Sequence, residues 1–236
     1  MKISEVKVKS IITKSRIPGV DYVINPYTGC AHGCKYCYAT FMKRFTNHPE
    51  PWGSFVDVKI NAPELMKGLI KLKGKSVTLS SVTDPYQLLE KKYKITRQIL
   101  EKLITVQPNL SILTKSSLIM RDLDLLKQFK HLEVWFSLSI TDKSVRKELE
   151  PRASSIADRI KALKELHEAG IRTVVFIAPI HLRSDWKGVI RMTKDYVDKY
   201  VFDRLNYHET SIDWLKIRQE INDYCDDNNL KHFIIF

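Results

Sequence analysis

Short apolar and β-branched runs alternate along the chain with longer segments whose apolar positions recur every three or four residues, the mark of parallel strands joined by crossover helices. The runs are Tyr22 to Pro26, Ser76 to Ser81, Leu110 to Lys115, Glu133 to Ser139, Thr173 to Ile180, Tyr200 to Leu205 and His232 to Phe236. Most are nearly continuous in apolar character, as expected of strands covered on both faces. Between them, Asn61 with Glu64 three positions on predicts a capped helix that carries Leu65, Met66, Leu69 and Ile70. Ser154 or Ser155 opens another, with Ile156, Ile160, Leu163 and Leu166 on its apolar face and Gly170 past its end. Ile95, Ile99 and Leu103 mark a third helix, and Ile217, Ile221 and Tyr224 the last. Six or seven such units predict an α/β fold, either a full or partial barrel or an open doubly wound sheet, and periodicity alone does not choose between them. In both, chemistry belongs at the carboxyl ends of the strands. No linker or low-complexity segment interrupts the pattern, so residues 1–236 are expected to form one domain.

Composition narrows the setting. No apolar run approaches the length of a spanning helix, and Met1 to Ser10 alternates lysine with apolar residues without an apolar signal core, so a soluble cytoplasmic protein is expected. The net charge of +12, from 39 Lys and Arg against 27 Asp and Glu, favours a polyanionic partner such as nucleic acid, and equally fits a lysine-rich solvated surface. The group Lys71, Lys73, Lys75, Lys91, Lys92 and Lys94 flanks predicted helix ends, away from the strand mouths. Of four cysteines, Cys30, Cys34 and Cys37 fall within eight positions and Cys225 stands far away, a metal-ligand set in a reducing compartment rather than a disulfide framework.

The trio follows the first apolar run directly. Three thiolates hold three corners of a [4Fe–4S] cluster and leave one iron open to an exogenous ligand. Gly29 and Gly33 let the backbone turn tightly around so bulky a core, and Ala31 and Ala39 leave room. A structural zinc site with His32 as fourth ligand is the alternative, while a thioredoxin-like pair of Cys34 and Cys37 leaves Cys30 without a purpose. Tyr36 and Tyr38 flank the third cysteine with aromatic faces. Lys115 and Ser137 end their runs at matching height, and Asp84, with Tyr86 and Gln87 behind it, either faces the mouth or caps an Asp-Pro turn. Cys225 shares a helix face with Ile217 and Ile221 and is expected to be a small core residue.

The segment NPYTGCAHGCKYCYA resembles the cluster loop of the radical S-adenosylmethionine (SAM) superfamily, in the branch that includes spore photoproduct lyase. SSVTDPYQ, ILTKSS, VWFSLS, LEPRASS and VFIAPI follow in the order of that branch, so the resemblance covers roughly residues 20 to 205. It implies a partial (βα)6-type TIM-like barrel with an extra C-terminal strand, a [4Fe–4S] cluster on Cys30, Cys34 and Cys37, and SAM on the open iron through its amino and carboxylate groups. An external one-electron reductant then drives cleavage to methionine and a 5′-deoxyadenosyl radical. The resemblance further implies that Tyr36, Tyr38, Thr83, Asp84, Lys115, Ser137 and Ala178 bind the cofactor. Two departures are visible. Ser81 stands where the lyase has its hydrogen-donating cysteine, and the sequence ends at Phe236 without the extension that helps the lyase hold damaged DNA. The substrate is thereby left open: nucleic acid is favoured by charge, with a small metabolite or peptide, or a non-catalytic Fe–S electron-transfer role, as alternatives.

Overall fold

The structure, a computed structural model, describes residues 1–206 and 211–236. Its strands are β1 (Lys2–Val6), β2 (Ile12–Lys14), β3 (Tyr22–Ile24), β4 (Tyr27–Thr28), β5 (Phe55–Lys59), β6 (Ser76–Leu79), β7 (Asn109–Thr114), β8 (Leu132–Ser137), β9 (Arg172–Ile180), β10 (Lys199–Arg204) and β11 (His232–Ile234). The helices are α1 (Glu90–Tyr93), α2 (Ile95–Leu103), α3 (Leu123–Leu126), α4 (Lys143–Leu149), α5 (Ile156–Glu168), α6 (Trp186–Thr193) and α7 (Trp214–Asp227). The large sheet runs β11-β10-β9-β8-β7-β6-β3-β2, and every pairing is parallel except β2 with β3. From β3 onward its strands succeed one another in chain order with no reversal. Single-direction winding is the topology of a barrel, and a doubly wound sheet would reverse at a switch point. Six strands from β3 to β10 make the partial barrel, and β11 is the extra C-terminal strand.

Burial follows the sequence runs. Val134, Val175, Ile177 and Phe202 from the strands join Leu163, Leu166, Val189, Ile190 and Ile221 from the helices in one apolar core. Each fully buried aliphatic side chain there contributes about 1.5–3 kcal/mol. The two-residue strand period turns Trp135 and Phe176 to the opposite, inner face, where their rings meet edge to face at 5.8 Å. Helix α5 begins where expected: the Ser155 hydroxyl accepts from Asp158 N at 3.1 Å, and Gly170 past its end takes a φ of +75°. Cys225 is fully buried on α7 beside Ile221. Among the described residues no helix is long and apolar enough to cross a membrane.

The segment after Asn61 departs from expectation. Instead of a helix carrying Leu65 to Ile70, it forms two short 3-10 turns, Pro63–Leu65 and Leu69–Leu72, separated by Gly68 in the left-handed region at φ +60°. Asn61 does not cap, because its side chain pairs in both directions with the Val8 backbone, at 2.9 Å each. Ile70 is left 72% exposed. A second, three-stranded sheet, β1-β5-β4, also has no counterpart among the expected runs. The alternating Lys2 to Val6 is its edge strand, parallel to β5, and β4 pairs antiparallel with β5 immediately before the first cysteine. This sheet is the floor on which the cysteine loop rests.

Candidate metal centre

The loop from Gly29 to Cys37 fits its floor only because glycines stand at its contact points. Gly29 has a φ of +86°, and a Cβ there would lie 2.5 Å from the Phe55 carbonyl oxygen of β5. Gly33 packs against Gly53, both in the left-handed region, and a Cβ on Gly53 would come within 2.6 Å of the Gly33 Cα. The backbone closes one turn from Gly33 N to Cys30 O and another from Cys37 N to Cys34 O, each at 3.3 Å. Cys30, Cys34 and Cys37 are unpaired thiols with partial exposure.

Two segments brace this loop from behind. Thr83 donates its hydroxyl to Gly29 O at 2.5 Å, and the buried Gln87 accepts from Ala31 N at 2.7 Å while donating to Thr83 Oγ1 at 3.1 Å. Asp84 Oδ1 accepts from the Thr114 hydroxyl (2.7 Å) and Tyr86 N (2.8 Å), and Oδ2 accepts from Lys115 N (2.7 Å) and faces His32 Nε2 at 3.0 Å. Burial alone would raise the Asp84 carboxyl, but His32 and these donors hold it below the ordinary aspartate value. Both Asp84 oxygens are therefore engaged within the protein, in the manner of an Asp-Pro turn that also ties β7 to the cysteine loop. Tyr86, which the sequence places behind Asp84, points into the core.

The second brace comes from residues 149–159. Lys35 N donates to Leu149 O at 2.9 Å, and the Arg152 guanidinium donates to both Ala31 O and Gly53 O. His32 Nδ1 lies 3.2 Å from Arg152 O. Tyr36 donates its phenol to Glu150, which pairs with Arg159, and Arg159 Nη1 donates to Ser137 O at 3.0 Å. Burial would raise the Glu150 carboxyl, yet Arg159 and Lys115 keep it below its ordinary value. Arg152, Glu150 and Arg159 escaped sequence reasoning although LEPRASS was conspicuous; a cluster of charges beside a predicted helix start was the only available signal.

At the mouth, Lys115 Nζ donates to Ser137 Oγ at 2.5 Å, and Ser137 Oγ donates to Ala178 O at 3.2 Å. Lys115 Nζ also stands 5.7 Å from the Tyr36 ring centre. The structure thus brings Tyr36, Lys115, Ser137 and Ala178 together across three neighbouring strand ends. Thr83 and Asp84 lie in the layer behind the loop, and the exposed Tyr38 instead donates to Ser81 O. Ser81 is held by Asn25, whose Oδ1 accepts from Ser81 N at 2.9 Å.

The chemistry of the donor set fits an iron–sulfur cluster. Burial, with the Asp84 charge next, pushes the Cys30 thiol well above its ordinary value, and burial pushes Cys34 up to about 12 against the pull of Lys115. Thiolates in such a place require the compensating positive charge that ligation supplies. Among the described residues, no three His, Cys, Asp or Glu side chains are arranged to hold a single metal ion. His32 Nδ1 lies 3.2 Å from Arg152 O and its Nε2 3.0 Å from Asp84 Oδ2.

A parallel partial barrel with three free thiols on the loop after β4 defines an α/β protein whose candidate site sits at the carboxyl mouth of the strands. Residues 24–192 match the Radical SAM superfamily, and the chain belongs to it. It is 42% identical over 229 residues to the uncharacterized protein MJ0683 of Methanocaldococcus jannaschii, which covers 97% of this chain and 84% of that protein. A radical SAM Nalpha-GlyT isomerase from Pseudomonas phage M6 is 27% identical over 158 residues, 66% of this chain and 32% of the phage protein. Among solved structures, spore photoproduct lyase complexed with dinucleoside spore photoproduct shares the fold with a TM-score of 0.75 at 16% identity, over 99% of this chain and 82% of the lyase.

Proposed function

We propose that Cys30, Cys34 and Cys37 hold a [4Fe–4S] cluster, that SAM binds its open iron, and that the chain is a radical enzyme acting on nucleic acid. The observation that carries the cofactor assignment is the braced loop of three free thiols facing the row of Lys115, Ser137 and Ala178. When bound, cluster and SAM supply, with one electron from an external reductant, a 5′-deoxyadenosyl radical that takes a hydrogen atom from the substrate. The protein's part is to place the participants. Lys115 spends one N–H on Ser137 and keeps the rest of its ammonium for the SAM carboxylate. Tyr36, fixed at its phenol end by Glu150, offers a ring face to the adenosyl group. Thr83 and Asp84 act one layer back, holding the loop in register. Ser81 supplies no weak bond for a returning hydrogen atom, because a serine O–H is too strong.

Three features support nucleic acid as the substrate class. The net charge is +12, and residues 22–49, which include the cysteine loop, contain no Asp or Glu but do contain Lys35, Lys43 and Arg44. Just past Cys37, Phe41 and Phe45 are exposed, with the Arg44 guanidinium 5.5 and 4.8 Å from their ring centres. Aromatic faces interleaved with arginine form the platform on which unpaired bases stack. The lyase of the same fold is complexed with a dinucleoside. Titration of single- and double-stranded nucleic acid across salt tests the substrate class: affinity that falls steeply with salt and drops on Phe45→Ala is expected, and no binding at low salt refutes it.

A further inference from the structure

The proposed chemistry needs an electron, and the cysteine loop leaves few sides by which one can arrive. Its mouth side carries Tyr36, Lys115, Ser137 and Ala178, where SAM and substrate have to sit. Beneath it lies the β1-β5-β4 sheet, and against it the Arg152 segment. The side these leave is the helical turn from Gln87 to Tyr93, closed by Glu90 N to Gln87 O at 2.8 Å, Lys91 N to Leu88 O at 3.2 Å and Lys92 N to Leu89 O at 3.0 Å. Residues three and four apart share a face of such a turn. Gln87 and Glu90, both fully buried, form its inner face. Gln87 accepts at 2.7 Å from Ala31 N, the amide next to Cys30, and Glu90 accepts from the Tyr27 phenol and pairs with Arg121 at 2.9 Å. Leu88, Lys91 and Lys92 form the outer face, all three exposed. One buried side chain, Gln87, therefore spans from a solvent-facing turn to the cysteine loop.

The exposed charge of that turn has one sign. Lys91, Lys92 and Lys94 are exposed, and among the described residues no carboxylate pairs with any of them. Lys92 Nζ instead stands 4.8 Å from the Tyr93 ring centre, and Tyr93 donates its hydroxyl to Glu5 at 3.0 Å. Expected with Lys71, Lys73 and Lys75 away from the strand mouths, these three follow the carboxyl end of β6, whereas Lys73 and Lys75 precede its amino end. Leu88, 56% exposed, is the apolar centre of the face. An apolar centre rimmed by unpaired positive charge has the form of a protein docking face, and charge complementarity asks for an acidic partner. Base stacking uses aromatic faces such as Phe41 and Phe45 rather than an aliphatic side chain. Electron-transfer encounters bury little surface, so a one-turn face and its neighbours suffice. We propose that Leu88, Lys91 and Lys92 dock an acidic one-electron carrier protein, which reduces the cluster held by Cys30, Cys34 and Cys37 from the Gln87 side. One electron leaves the carrier, one enters the cluster, and no atom is transferred. The assignment rests on the cluster reading above and adds the partner that supplies its electron.

Cluster-loaded protein without SAM tests it, because bleaching of the cluster's visible absorbance reports reduction apart from turnover. The donors are reduced flavodoxin, an acidic protein, and dithionite, a small reductant that needs no docking face. The proteins are wild type, a double variant with Lys91→Glu and Lys92→Glu, and a control with Lys73→Glu and Lys75→Glu, which changes the net charge equally at the opposite end of β6. With flavodoxin at low salt, the Lys91 and Lys92 variant is expected to bleach roughly tenfold more slowly than wild type, and the control within about twofold of it. Added salt slows wild type and leaves the Lys91 and Lys92 variant little changed. With dithionite all three bleach at one rate, which shows their clusters to be intact. Equal slowing in both double variants, or none in the Lys91 and Lys92 variant, overturns the docking face. So does a wild type that dithionite bleaches and flavodoxin does not. Lost nucleic-acid affinity in the Lys91 and Lys92 variant with an unchanged flavodoxin rate also overturns it, and gives the surface to nucleic acid. Failure of reconstituted wild type to take up a cluster overturns instead the cofactor assignment on which the docking face rests.

Discussion

Glu150 joins two walls of the site through single atoms: one oxygen accepts from Tyr36 and the other pairs with Arg159, and both charged side chains are 1% exposed. Replacing one member of such a pair strands the other charge, so Glu150→Gln is expected to cost about 3–5 kcal/mol in denaturant unfolding at pH 7. The pH dependence has a definite sign. The folded Glu150 carboxyl titrates below its ordinary 4.5, so its contribution is complete above that value and is lost as pH falls through the folded one. Below about pH 5 the wild type therefore loses stability more steeply than Glu150→Gln, and parallel pH profiles would contradict the pairing. At the same scale, Ala at Cys30, Cys34 or Cys37 is expected to abolish the cluster's visible absorbance after reconstitution, while Cys225→Ala, in the core beside Ile221, retains it. The cysteines were legible because their chemistry depends on a short spacing. Asp84 was half legible: its Asp-Pro setting marked a turn, but its four partners come from residues 32, 86, 114 and 115, which only the fold assembles.

The cysteine loop, seen as an element, is a ribbon held between the β1-β5-β4 sheet and the Arg152 segment. Gly33→Ala would set a Cβ 2.3 Å from an Arg152 nitrogen at a φ of +60°, whereas Gly74, at +66°, has nothing within 4 Å of such an atom. Strain from φ is shared and contact is not. Gly74→Ala should thus cost on the order of 1 kcal/mol with cluster uptake unchanged, and Gly33→Ala more, with impaired uptake. Equal melting temperatures and equal iron content in the two variants would show that the brace does not matter. Local pattern predicted the strands β3 and β6 to β11 because each is a compact apolar run. It failed after Asn61 because the helical spacing of Leu65, Met66, Leu69 and Ile70 says nothing of Gly68 turning left-handed, or of Val8, 53 positions away, claiming the capping side chain. β1 and β5 were missed for a related reason: β1 is a mostly exposed alternation, β5 is a short buried run broken by Asp57, and their partners lie far off in sequence.

For the whole molecule, periodicity left barrel and doubly wound sheet equally open, and strand order decides between them. Neighbour relations are long-range, so the hydrophobic pattern of each run is blind to them. That winding gathers the ends of β7, β8 and β9 beside the loop after β3, and so places Lys115, Ser137, Ala178 and Tyr36 around one volume. The central claim is that this volume is where SAM meets a cluster held by three cysteines. Anaerobically reconstituted protein, reduced with dithionite and incubated with SAM, tests it most directly by chromatographic detection of 5′-deoxyadenosine. The account predicts time-dependent 5′-deoxyadenosine from wild type and Cys225→Ala, and none from Cys34→Ala. Absence of 5′-deoxyadenosine from wild type carrying a full cluster, or its formation by Cys34→Ala, would contradict it.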